Sequence, residues 1–147
     1  MKALQWIAIS CALALPVLGQ KQASKEPSYT PEGAVARMTL PKGFSVTQFA
    51  AEPHVVQPFA FCFDSRGRVW VCENLNYETR RSDTFNDGPK GRIIILEDTN
   101  GDGKFDKKKL FIDKLFFPTG LQVGFGGVWV GSPPNLYFIP DRNGDDK

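Results

Sequence analysis

Asp98-Thr99-Asn100-Gly101-Asp102-Gly103-Lys104-Phe105-Asp106 is the stretch with the sharpest chemical pattern in this sequence. Asp98, Asn100, Asp102 and Asp106 alternate oxygen-bearing side chains along it, Lys104 can add its carbonyl, and Gly103 permits a sharp turn. That is how a short loop wraps a hard cation such as calcium. Lys109 stands where an EF-hand carries its bidentate glutamate, and the flanks read as strands, so the motif is not an EF-hand. Asp, Asn and Gly also form tight turns without metal. A calcium loop and a metal-free acidic turn are both open readings. Asp141-Arg142-Asn143-Gly144-Asp145-Asp146 echoes the motif more weakly, with Asp146 where a glycine would serve.

A second group of polar side chains lies between Glu73 and Gly91. Glu73, Asn74, Asn76, Tyr77, Arg80 and Arg81 are the candidates to line a binding mouth. They offer hydrogen bonds and cationic contacts to a polyhydroxylated substrate or an anionic cofactor. Long connections without secondary structure are commonly functional, although a passive surface loop is the alternative. His54, the one histidine, lies between Pro53 and Val55 and reads as a surface turn residue, so no residue of the chain is assigned a catalytic role.

These loops need strands to hold them. Phe59 to Phe63 and Arg68 to Cys72 are runs of aromatic and β-branched residues around Asp64-Ser65-Arg66-Gly67, which is a β-hairpin written in sequence. The pattern recurs from Pro118 to Val130, where Val-Trp-Val again follows a glycine-containing turn and Trp129 echoes Trp70. Arg92 to Asp102 and Asn135 to Asp145 then match as a third strand followed by an acidic turn. Ordered self-similarity of short strands at a period of several tens of residues predicts a stacked or radial all-β architecture, with blades of the propeller kind. In the second unit only Gly131-Ser132-Pro133-Pro134 replaces the long 73–91 connection, so the first unit carries an insertion. Upstream, Leu40 to Ala50 reads as a Pro-Gly turn and an alternating strand, with Phe44, Val46 and either Gln48 or Phe49 inward.

Composition leaves few other constraints. A net charge of +2, with Lys107-Lys108-Lys109 as the one basic run directly after an acidic loop, gives no footprint for nucleic acid. Residues 1–19 combine Lys2, a nearly continuous apolar run from Ala3 to Leu18, and small or permissive residues at 17–19. This predicts an export signal, hence a periplasmic or secreted protein, with a retained N-terminal anchor as the alternative. Residues 20–37 read as a flexible linker and 38–147 as the folded part, about two blades of a propeller left incomplete in this chain. Export would allow Cys62 and Cys72 to pair. With Phe63 opposite Arg68 across the hairpin, however, the two sulfurs fall on opposite faces of the sheet. A slip of one residue puts them on one face but out of reach along the ladder, so both read as small buried hydrophobes.

Leu40-Pro41-Lys42-Gly43-Phe44, the run from Phe63 to Asn74, the Asp98 loop, and Gly124 to Val130 together carry a resemblance. In order, they resemble the start of the propeller domain in the membrane-bound dehydrogenases abundant in planctomycete and verrucomicrobial bacteria, a family similar to soluble quinoprotein glucose and sorbosone dehydrogenases. The resemblance runs from about residue 38 onward. It implies a propeller of about six blades, a sugar or alcohol substrate, pyrroloquinoline quinone as cofactor, a c-type cytochrome as electron acceptor and association with a membrane. Quinoprotein relatives place their histidine base and arginines in later blades, and this chain holds no Cys-x-x-Cys-His.

Overall fold

The computed structural model describes residues 30–77 and 88–147. The export segment, the first part of the linker, Arg80 and Arg81 lie outside the described residues. Among the described residues seven strands form two antiparallel sheets: β1 (Pro58–Phe63), β2 (Val69–Glu73), β3 (Gly91–Glu97) and β4 (Lys107–Leu115) in the first, β5 (Gly120–Gly124), β6 (Gly127–Ser132) and β7 (Asn135–Pro140) in the second. Each strand pairs with its sequence neighbour, so each sheet is a meander. The all-β expectation is met, and the repeated hairpin with its third strand appears twice in the predicted order. One helix, α1 (Pro31–Ala36), stands within the stretch read as a linker. Thr30 caps it through a hydrogen bond from the Gly33 N–H, and none of its residues is buried. Among the described residues no helix is long and apolar enough to cross a membrane.

The core follows from strand periodicity. Side chains alternate between faces along a strand, so a strand covered on both sides needs apolar residues at every position. Ile93-Ile94-Ile95-Leu96 of β3 supplies such a run, and all four side chains are buried. Ile93 and Ile95 join Trp70, Phe111 and Leu115 against Val128 and Val130 of the second sheet, forming the core between the sheets. Ile94 and Leu96, with Val71, face the other way and are covered by Phe49, Ala50, Val55 and Phe105.

Two expectations are corrected. Residues 44–50 form no strand, and Phe44 is exposed. This stretch lies across the outer face of the first sheet rather than beside an edge, so it gains side-chain burial through Phe49 and Ala50 and meets the first acidic loop through a backbone bond from the Phe105 N–H to the Phe49 carbonyl at 3.2 Å. The β1–β2 register is also shifted by one residue, with Phe63 opposite Val69 and Cys62 opposite Trp70. The Asp64 carboxylate accepts the N–H groups of Arg66 and Arg68 at 2.9 and 3.0 Å, which draws Arg68 into the turn. Both thiols then fall on the Trp70 face, displaced along the ladder, and both are free. Burial, reinforced by the neighbouring Glu73 charge, pushes the Cys72 thiol up to about 11.

Candidate functional site

Antiparallel pairing gives the first sheet two ends from which its connections leave. Glu73 opposite Arg92 marks the end from which the 73–91 connection leaves, and Glu97 opposite Lys107 marks the end that carries the acidic loop.

At the insertion end, Glu73 is fully buried. Its Oε1 accepts the Val56 N–H at 2.7 Å and its Oε2 is paired with the Arg92 guanidinium. Removing a carboxylate from water is costly unless it is paired and hydrogen-bonded, and both conditions are met here. Asn74, also buried, accepts the Asn76 N–H on its side chain and donates its own N–H to the Gln57 carbonyl at 3.1 Å. Asn76 closes the connection: its amide donates to the Gly88 carbonyl at 3.0 Å and accepts the Lys90 N–H at 2.8 Å. The Tyr77 ring meets Phe59 edge-on at 5.1 Å, and Phe59 meets Phe117 at 6.4 Å. The structure therefore brings Glu73, Asn74, Asn76 and Tyr77 together, the first three in the interior rather than on an open rim.

Gln57 and Arg92 were not singled out from the sequence, yet both belong to this cluster. Gln57 Oε1 and Asn74 Nδ2 are buried without a hydrogen-bond partner among the described residues. Gln57 and Phe117, each directly before the proline that precedes or opens a hairpin strand, share a left-handed backbone at φ 45° and 47°. Non-glycine residues rarely adopt that conformation, and a following proline disfavours it further. The proline spacing of the two repeats was the available signal.

At the other end the first acidic loop is closed by its own backbone. Asp98 accepts the N–H groups of Gly101 and Gly103 at 2.7 and 2.8 Å, and Asp106 accepts the Thr99 N–H and hydroxyl at 3.0 and 2.9 Å. Asn100 accepts from Asp102, and Asp102 from Lys104. Partial burial opposes the Asp98 charge, but the N–H groups of Gly103, Gly101, Asp102 and Asn100 outweigh it and hold this carboxyl below its ordinary value. The oxygens are of the type calcium uses, but each named oxygen already accepts a loop donor. Among the described residues no group of three or more His, Cys, Asp or Glu side chains is placed to hold a metal. His54 lies at this end too, edge-on to Phe105 at 5.1 Å.

The densest charge cluster joins the two sheets and was not foreseen. Arg68, buried, donates to Asp64 at 2.7 Å and grips Asp146 with both terminal nitrogens at 2.8 and 2.9 Å. The Trp70 indole donates to Asp64 at 2.9 Å, and Arg66 and Lys109 reach Asp146 at 3.2 and 3.4 Å. The bond from Arg68, opposed by burial and aided by Lys109, lowers the Asp146 carboxyl to about 2. Burial works against the Asp64 charge as well, but Trp70 and Arg68 overcome it and hold that carboxyl below its ordinary value. The same pairing, Asp146 first, raises Arg68. Beside the cluster, a cavity of about 570 Å³ opens between Phe63, Trp70 and the β5–β6 turn.

Two meandering antiparallel sheets, packed through a tryptophan–valine core and fastened by a buried ion cluster, define a repeat-built all-β protein with a long loop at one end. The chain belongs to the family described as domain of unknown function DUF7133, whose model matches residues 30–147. No curated protein and no solved structure matches it.

Proposed function

We propose that the two sheets are blades of a β-propeller in an exported, periplasmic or secreted protein, and that their insertion end binds a sugar or an alcohol. The supporting observation is the pinned base of the 73–91 connection. A buried asparagine, Asn76, fastens its two ends together, and at the same end a buried donor, Asn74 Nδ2, and a buried acceptor, Gln57 Oε1, lack partners among the described residues. A long connection whose ends are tied together in this way is commonly functional. An unmatched donor and acceptor suit a hydroxyl group, which can serve both. Tyr77 and Phe59, 42% and 40% exposed, add aromatic surface on which the C–H face of a sugar would pack.

By its resemblance the protein oxidises this ligand as a quinoprotein-type dehydrogenase and passes electrons to a c-type cytochrome. Pyrroloquinoline quinone, when bound, supplies the two-electron chemistry. The described residues do not fit that tricarboxylate, because the Arg92 guanidinium at this end is already neutralised by Glu73. Their role in this reading is to bind and orient the ligand. The commitment of Arg92 also favours a second reading, a non-catalytic propeller that holds polysaccharide or a protein partner through the same loop. In either reading we propose that the first acidic loop takes calcium weakly, in competition with its internal donors.

Titration calorimetry of the protein expressed from its complete gene, with hexoses, pentoses and sugar alcohols, tests the site. Asn74→Leu should weaken binding by about tenfold or more, since losing one buried hydrogen bond is worth on the order of 1.4 kcal/mol. No heat with any sugar or alcohol would remove the proposal. Quinone-dependent reduction of an artificial acceptor dye would separate oxidation from simple binding.

A further inference from the structure

The second acidic loop leaves over a carboxylate oxygen that the first loop uses. In the first, Asp98 Oδ1 accepts the Gly101 N–H at 2.7 Å and Oδ2 accepts the Gly103 N–H at 2.8 Å. In the second, Asp141 Oδ2 accepts the Asp146 N–H at 3.1 Å, but Oδ1 is buried without a hydrogen-bond partner among the described residues. Asp141 lines the cavity of about 570 Å³ beside the ion cluster, a size suited to a small ligand. Arg66, Arg68 and Lys109 direct their charges to Asp64 and Asp146 instead. A sheltered carboxylate oxygen with nothing to accept from is matched by a cationic donor. The wall of the cavity supplies a second, independent observation. Phe125 and Gly126 form the two-residue β5–β6 turn with φ 55° and 73°, a left-handed pair that Asn-Gly or Asp-Gly ordinarily fills. Phe125 takes this unfavourable conformation and still stays 94% exposed, so the fold gains no packing from it. Such strain points to a use outside the fold. Phe125, Phe63 and Trp70 all line the cavity, and aromatic faces attract organic cations.

We propose that this cavity binds an organic ammonium ion on an apolar body, the ammonium donating to Asp141 Oδ1 and the body packing on Phe63 and Phe125. A hard metal ion would need several free oxygens, and Asp64 and Asp146 have theirs committed to Arg68. An anion would meet the Asp141 charge. The β1–β2 turn beside the cavity lies past the Phe63–Val69 pair, whereas the 73–91 connection leaves from the Glu73–Arg92 pair at the other end of the sheet. The ammonium site is therefore separate from the sugar or alcohol site and does not rest on it.

Titration calorimetry at neutral pH, on the protein expressed from its complete gene, tests the site with benzylammonium and its uncharged counterpart benzyl alcohol. The ammonium should bind about tenfold or more tightly than the alcohol, as one charge-assisted hydrogen bond implies. Capped lysine, Nα-acetyl-lysine methylamide, separates the sources of the ammonium: heat with it supports a lysine side chain as occupant, and heat with benzylammonium alone supports a free amine. Asp141→Asn keeps a carbonyl for the Asp146 N–H and removes the charge, so it should bring the ammonium down to the affinity of the alcohol. Phe125→Asn suits the left-handed turn, should melt no lower than the wild type, and should weaken both benzyl ligands several-fold. Equal affinity for ammonium and alcohol, or no heat with either amine, would overturn the proposal. So would an unchanged ammonium affinity in Asp141→Asn or, should that variant fail to fold, in Phe125→Asn. Calcium that competes with the ammonium and loses its own heat in Asp141→Asn would assign the oxygen to a metal and overturn the proposal as well. Asn74→Leu should leave all these heats unchanged, which keeps the outcome apart from that of the sugar titrations.

Discussion

The two acidic loops are built alike and act differently. In the first, Asn100 accepts the Asp102 N–H at 2.9 Å, Asp102 accepts the Lys104 N–H at 2.8 Å, and Asp98 accepts the Gly103 N–H at 2.8 Å. In the second, Asn143 accepts from Asp145 at 3.4 Å, Asp145 from Lys147 at 3.0 Å, and Asp141 from Asp146 at 3.1 Å. The backbone is left-handed at the matching position of both loops, with φ 81° at Gly103 and 60° at Asp146. Glycine takes that conformation at little cost, whereas aspartate pays for it. What the second loop gains is a carboxylate aimed at Arg68 on the neighbouring sheet. One side chain on a shared turn thus converts a self-contained loop into a latch between sheets.

Breaking the latch at its centre should have the largest effect. Arg68→Met leaves Asp64 and Asp146 as buried carboxylates without their shared guanidinium, and removing one member of a buried pair costs about 3–5 kcal/mol. Urea denaturation of the full-length protein would read this, and a loss below about 1 kcal/mol would show the cluster to be incidental. Asp146→Gly restores the residue of the first loop. It should keep the turn but lose the charge-assisted bonds, at a cost of about 1.5–3 kcal/mol.

The same variant should change the acid response. Because the folded Asp146 carboxyl is lowered to about 2, its contribution is complete above the ordinary carboxylate value near pH 4 and is lost as pH falls toward about 2. Stability of the wild type should therefore drop across that window more steeply than stability of Asp146→Gly. Parallel curves from circular dichroism in acid would count against the latch.

The reciprocal change, Gly103→Asp, places a side chain at φ 81°, where its Cβ would meet Thr47 Cγ2 at 3.3 Å. A cost of about 1–2 kcal/mol is expected from the backbone alone. The smallest effect belongs to calcium. With a dissociation constant on the order of 10⁻⁴ to 10⁻³ M, free calcium about tenfold higher would add roughly 1.4 kcal/mol through the first loop. Equal melting temperatures in calcium and in chelator would leave that loop a self-satisfied turn.

Features that depend on near neighbours were legible in the sequence. Asp98, Asn100 and the glycines announce their turn because the bonds that close it span only a few residues. The β3 apolar run and the repeated Val-Trp-Val announce strands by periodicity. The Arg68–Asp146 contact spans 78 residues and connects two sheets, so no local pattern encodes it. The one-residue register shift came from the Asp64 side chain entering its own turn, which competes with the simple hairpin count. The 44–50 stretch alternates like a strand but finds a face rather than an edge. At the insertion end, Glu73, Asn74 and Asn76 were recognisable as polar residues after a strand, but their burial depends on Gln57 and Arg92, which arrive from other segments.

A double-mutant cycle between Arg68→Met and Asp146→Asn, measured by chemical denaturation of the protein from its complete gene, tests the latch most directly. The structure predicts that the two changes are strongly non-additive, with a coupling of about 1.5–3 kcal/mol. Costs that add to within about 0.5 kcal/mol would contradict a latch between the sheets.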